Sequence, residues 1–198
     1  MTIETVTRKE ACELIRKSIG KDVPEGEVFD KIVFAVNNDM QVRDFMLGLP
    51  KYYDLQEVID FLCHMAAETK LGEDIPFIVV AGAMAYEVDA MEEFYKHVGY
   101  AAVHAPNYSL NNILMKAANA GYPGKMLTKM REELHVKVME VCYKSEPDFI
   151  ITKIGETDGK HIPSATNVSS SSEDSGRETS GQTESGSTPN TESQPGSN

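Results

Sequence analysis

From Ile75 to Tyr86 the chain runs for about twelve residues without a charged side chain. The part from Phe77 to Tyr86 is apolar nearly all round, so a helix formed there has no face to offer water and must be enclosed by the rest of the chain. Such a helix is roughly 18 Å long, against a hydrocarbon core of ~30 Å, so the run predicts a central buried helix and not a membrane span. The chain has 198 residues. A folded part of about 150 residues buries roughly 68–70% of the surface its unfolded form exposes, enough to surround such a helix without a disulfide or metal staple.

The segments around it read as amphipathic helices with clear punctuation. Thr7-x-x-Glu10 is a capping box, followed by Ala11, Leu14, Ile15 and Ile19 at helical spacing and a stop at Gly20. Val28, Phe29, Ile32, Val33 and Val36 mark a second helix ending at Asn37-Asn38. Asp39 is placed to cap a third, with Val42, Phe45, Met46 and Leu49 inward and Pro50 closing it. Asp54-x-x-Glu57 opens a fourth that carries Leu55 to Ala66 and ends by Gly72. Beyond the apolar run, Asp89 and Ser109 are the expected caps of two more helices, and Pro123 is placed to start the last, which runs to about Tyr143. Phe149-Ile150-Ile151 suits either a short strand or a packed strap. The expected fold is all-α, a compact bundle of helical hairpins with short loops.

Near residue 163 the composition changes abruptly. From Pro163 to Asn198 the apolar residues are Ala165 and Val168, and there is no aromatic. Such a segment buries too little to offset the entropy of ordering it. The expected organisation is therefore a helical domain over residues 1–155 and a disordered Ser/Thr/Gly/Glu-rich tail over 156–198. From Pro163 onward Arg177 stands against Glu173, Asp174, Glu178, Glu184 and Glu192, so this stretch is acidic, as is the whole chain with its net charge of −12. That charge argues against direct binding to nucleic acid, which leaves a basic footprint.

Cys12, Cys63 and Cys142 are odd in number, far apart and without metal or redox spacing. Each lies in a helical apolar pattern, which predicts three reduced, buried thiols and a cytoplasmic location. The opening residues, Met1 to Val6, lack the basic and apolar regions of a secretory signal.

Two stretches carry a family likeness. Asp39-Met-Gln-Val-Arg-Asp44 with Phe45-Met46-Leu47 resembles the V-R-D-apolar segment of the actinobacterial family called domain of unknown function 4192. Val80 to Tyr86, Phe94 and the run Ala101 to Leu110 resemble that family's ending, in which a helix with small residues leads into A-x-x-x-[AD]-P-x-Y-x-L, and Asn119-Ala-Gly-Tyr-Pro123 is similar to the turn that closes it. The likeness spans residues 39–129 and only the family's C-terminal helical part. It implies an actinobacterial or actinobacteriophage origin, phage by the small size, and supplies no catalytic residue. The same segment resembles one tetratricopeptide hairpin, with Gly82, Ala101 and Pro106 at the small, small and turn positions, but Phe94 puts a ring where that repeat has a small residue. The equivalent of Gly82 one repeat later is Lys116, so a single hairpin is expected and not a solenoid.

Candidate chemistry is sparse. Glu132-x-x-His135 has the spacing of a di-iron bundle ligand pair, yet no second pair exists, so a solvated helix face is expected there. Gly121-Tyr-Pro-Gly-Lys125 lacks the first glycine and the Ser/Thr of a phosphate loop, and reads as a turn between helices. His97 and His104 share a helical face without a nucleophile elbow nearby. No catalytic residue, cofactor or metal site is therefore expected. Of the ten methionines, six lie between Met84 and Met139, and Met suits both irregular cores and adaptable binding surfaces. Tyr86, Met91, Tyr95, Tyr108, Tyr122 and Met126 form the expected interaction surface. The expected function is a non-catalytic module that binds a protein partner, host or phage. The alternatives are an acidic mimic of nucleic acid that blocks a DNA-binding protein, and an enzyme whose site has no motif.

Overall fold

In the computed structural model, which describes residues 5–152, the apolar run forms a helix buried from Ile75 to Tyr86 at every position except Ile78. The elements in chain order are β1 (Thr5–Thr7), α1 (Arg8–Ser18), α2 (Gly26–Asn38), α3 (Met40–Leu47), a 3₁₀ turn (Leu49–Lys51), α4 (Leu55–Glu68), α5 (Ile75–Glu87), α6 (Met91–His104), α7 (Ser109–Asn119), α8 (Lys125–Glu140), a π turn (Val141–Ser145) and β2 (Ile150–Thr152). The described residues form an all-α fold with one two-stranded ribbon, and no helix among them is long and apolar enough to cross a membrane. The expected tail lies outside the described residues.

Helix α5 is apolar all round because it serves two cores. Phe77, Val80, Ala81 and Met84, at i, i+3, i+4 and i+7, face a core built from α1 to α4, α8 and β2. Ile75, Val79, Ala83 and Tyr86 face a smaller core made with α6 and α7. Helix α6 returns antiparallel along α5: the Tyr86 and Phe94 rings stack 4.7 Å apart, while one turn or so back Gly82 meets His97 and Val98. A Cβ at Gly82 would sit 3.1 Å from His97 Cβ, so this glycine lets the two helices approach. Phe94, the departure from the repeat pattern, fills the space beside Tyr86 with no exposed surface.

Side-chain caps set the starts of α1, α3 and α4. The Asp39 carboxylate accepts from the Gln41 and Val42 amides at 2.7 and 3.3 Å, and Asp54 accepts from Gln56 and Glu57 at 2.8 and 3.4 Å. The Thr7 box is half formed: the hydroxyl accepts from the Glu10 amide at 3.2 Å, while the Glu10 carboxylate takes Lys31 at 2.9 Å. Two expected caps differ. Asp89 has φ +58° and ends α5 with its amide on Tyr86 O at 3.2 Å, so α6 starts from Ala90 with no side-chain cap. Asp tolerates this left-handed conformation better than most residues, and here it is spent on stopping a helix. Ser109 lies inside the first turn of α7, which begins from Tyr108. The open question at Phe149-Ile150-Ile151 resolves as a strand, with Thr5, Val6 and Thr7 opposite Thr152, Ile151 and Ile150.

A buried ion pair ties α1 to the cap of α3. Arg8 bonds Asp39 at 2.8 Å and Glu146 at 2.5 Å, its guanidinium lies 4.1 Å from the Phe149 ring centre, and its amide donates to Phe149 O. Close by, Cys12 and Cys142 are buried in the larger core as free thiols, and the hydrogen bond with Cys142 together with burial pushes the Cys12 thiol far up, keeping it protonated. Cys63 is exposed on α4, against the expectation that all three thiols are buried: its neighbours Leu62 and Phe61 face inward, and the next position along the helix points outward.

Candidate binding groove

Helix α8 is less covered than its neighbours. His135 and Val138 are its buried residues, while Met126, Met130, Leu134 and Val136 are about half exposed. Thr128, Arg131, His135 and Val138, at steps of three or four, and Leu127 beside the first of them form the stripe facing the body. Met130, Leu134 and Val141 stand beside that stripe and line a groove of about 560 Å³. The opposite wall is α3, through Met40, Asp44 and Leu47, with Gly48 just after it. The floor includes Ala83 and Met84 of α5, and one end is formed by Leu110, Ile113 and Leu114 of α7. Met40 at 60%, Ile113 at 57%, Leu134 at 50% and Met130 at 49% exposure make an apolar rim.

The ions in this groove are largely paired with each other. Arg43 holds Asp44 at 2.6 Å and lies across the Tyr108 ring, 5.7 Å from its centre. The Glu87 carboxylate at the end of α5 accepts from Thr128 Oγ1 at 2.7 Å and from the Arg131 guanidinium, which fastens α5 to α8. Arg131 Nε, on the side away from this bond, is buried without a hydrogen-bond partner.

His135 is the most constrained side chain of the groove. It is 2% exposed, its ring lies 5.8 Å from Phe45 and 5.5 Å from Tyr52, and it presses on Gly48 so closely that a Cβ there would fall 1.8 Å from Nδ1. Gly48 is thus the residue that admits the imidazole. Neither ring nitrogen has a hydrogen-bond partner. Burial lowers the His135 pKa, and the nearby cations Lys51 and Arg131 lower it further, so the ring is neutral at pH 7. This overturns the expectation of a solvated face at Glu132-x-x-His135: Glu132 is exposed, whereas His135 points into the body one position beyond the exposed Leu134. No group of three His, Cys, Asp or Glu side chains among the described residues is arranged to hold a metal ion.

The six expected surface residues do not form one patch of equal exposure. Tyr86 is buried, with its hydroxyl donating to Tyr122 O, so it is a strut between α5 and the turn before α8. The periodicity that places Tyr86 on the smaller core also excludes it from the surface. Met91 and Tyr108 are half-buried against that core. Tyr95, Tyr122 and Met126 are about half exposed, and none of them lines the groove. His104 is exposed with its ring tilted against Tyr100, whereas His97 is half-buried against α5 at Gly82, and burial lowers its pKa. The turn at Gly121 is as expected, with φ +71° and amides returning to Ala118 and Ala117 carbonyls. Sequence reading missed Met40, Ile113, Met130 and Leu134. The one signal for them is an apolar residue adjoining a helix's inward stripe, a pattern that core-facing residues share.

No protein-family model, curated protein or solved structure matches the chain.

Proposed function

We propose that the chain is a non-catalytic module that binds another protein by receiving a helix of that partner in the groove between α3, α7 and α8. The observation that carries this reading is the open apolar groove rimmed by Met40, Ile113, Met130 and Leu134. Grooves of this kind receive the apolar face of an amphipathic helix, and methionine rims adapt to varied side chains. Glu87 in the groove accepts from Thr128 and Arg131 and so holds α5 to α8, which favours a structural role for these residues over catalysis. The resemblance of residues 39–129 to domain of unknown function 4192 supports an actinobacterial or phage setting, with a host or phage protein as partner and the host cytoplasm as location.

The test uses three baits in an actinobacterial lysate: the native chain, Leu134→Glu in the groove, and Tyr95→Glu outside it. The expected result is a set of proteins retained by the native and Tyr95→Glu chains and lost with Leu134→Glu. Retention of the same set by all three baits contradicts the proposal.

A further inference from the structure

The contact between the two walls of the groove closes on His135. Its ring occupies the space left by the missing side chain of Gly48, just after α3. Phe45 of α3 and Tyr52, after the 3₁₀ turn, flank it with ring centres 5.8 and 5.5 Å away. This seat suits a neutral ring and has nothing for a charged one. Neither ring nitrogen has a hydrogen-bond partner. The charges that act on the ring are both positive, Lys51 from the 3₁₀ turn and Arg131 from α8 itself. The Tyr52 phenol is the other titratable group against it. The carboxylates of the groove are bound to other cations, Asp44 to Arg43 and Glu87 to Arg131, while Glu132 and Glu133 lie on the exposed side of α8.

A second proton on this ring creates a buried imidazolium with no acceptor and two cations beside it. The closed contact disfavours such a charge strongly, and leaving the seat for water relieves it. The way α8 is held makes that departure local. Between Arg131, bonded to Glu87, and the fully buried Cys142, the buried residues are His135 and Val138. A π turn, wider and less regular than an α-helix, follows at Val141–Ser145. With the imidazole out, Val138 is the one buried residue left to seat this stretch.

We infer that His135 is a proton-sensitive latch of the groove: taking up a proton drives its ring off Gly48 and frees residues 134–140 of α8 from α3, so the shape of the groove depends on pH. The inference goes beyond the groove reading, because it concerns the walls themselves and holds whether or not a helix docks between them. Burial, Lys51 and Arg131 lower the ring's affinity for a proton in the closed form. The open form takes one up near the ordinary histidine value of about 6.5, so acid favours the open form.

Amide hydrogen exchange of the full chain, free of any ligand and resolved by residue between pH 7.5 and 5.5, tests this. Rates are corrected for the intrinsic exchange rate at each pH. Residues 134–140 are expected to exchange faster than the buried centre of α5 at every pH, through a local opening. The population of that opening is expected to rise about three- to ten-fold from pH 7.5 to 5.5, and the ring signals of His135 to titrate below about 6.5. In His135→Leu the rise is expected to vanish. One common rate for residues 134–140 and α5 would overturn the latch, because the ring would then leave only when the whole domain unfolds. A ring that titrates at about 6.5 or above, or an equal rise in His135→Leu, would overturn it too. The comparison with α5 and the ring titration use the native chain, so they decide the question even if His135→Leu does not fold. None of these measurements involves a partner, so the groove reading stands or falls separately, on the Leu134→Glu bait.

Discussion

Helices α5 and α8 are bonded side by side through Glu87 and Arg131, yet they relate to water in opposite ways. Helix α5 has no polar face, and the chain encloses it with one core on each side. Helix α8 carries Lys, Arg and Glu along much of its length, and still leaves Met126, Met130, Leu134 and Val136 half exposed while burying a histidine without partners. The apolar content of α5 is explained by the chain's own packing; that of α8 is not. This asymmetry locates the binding surface, because apolar area left uncovered by a fold is the area available to something else.

The largest test of the contrast applies one substitution to both helices. Met84 lies at 1% exposure on α5 and Met130 at 49% on α8. Met84→Asp places a charge without a counter-ion in the core and is expected to cost upwards of about 4 kcal/mol, enough to unfold the domain near room temperature. Met130→Asp is expected to change stability by about 0.5 kcal/mol or less, in the same denaturant titration. Comparable losses at both positions would erase the distinction between the helices.

Overpacking gives the next largest effect. Gly82→Leu drives a side chain into His97 and Val98, and Gly48→Ala places a methyl on the His135 ring. Each is expected to cost about 1–3 kcal/mol. Gly48→Ala is also expected to displace the imidazole, visible as a shift of the His135 ring signals in a proton–nitrogen spectrum. A Gly48→Ala chain with native stability and unchanged His135 signals would remove the tight contact between α3 and α8.

Acid stability probes the same histidine more gently. His135 has a folded pKa below its unfolded value of about 6.5, so the unfolded chain binds more protons and stability falls as pH drops through and below that value. His97 acts in the same direction through burial. The native Tm is therefore expected to decline between pH 7.5 and 5, and the decline is expected to be shallower in His135→Leu. Equal slopes in the two proteins would place His135 in water.

Much of the fold was legible in the residues, for reasons that differ by element. The run at 75–86 has one physical solution, and it led directly to a central helix. Asp39 and Asp54 announced α3 and α4 because a short carboxylate before an apolar stripe has few other uses. Asp89 misled for the same reason, since Asp also tolerates the left-handed conformation that ends a helix. The ribbon was half visible: Phe149-Ile150-Ile151 signalled extended chain, but its partner at Thr5–Thr7 is too short to register and lies far away in the sequence. The groove was hidden. Tyr86 and Met126 are both large apolar residues on helical stripes, and the packing of distant segments alone determines that the first is a strut and the second is exposed. His135 read as a surface residue because Glu132, Glu133 and Lys137 surround it in sequence, although the helix turns its ring into the body.

The most direct measurement of the central contrast uses the methionines as reporters. In the full chain labelled with carbon-13 at the methionine methyls, a soluble paramagnetic chelate broadens signals according to their access to solvent. Met40, Met126 and Met130 are expected to broaden strongly, while Met46, Met65 and Met84 stay sharp. Addition of a groove-binding peptide is then expected to protect Met40 and Met130 and leave Met126, which does not line the groove, exposed. Met40 and Met130 signals as sharp as that of Met84 in the free chain would contradict the account, because the groove would already be covered.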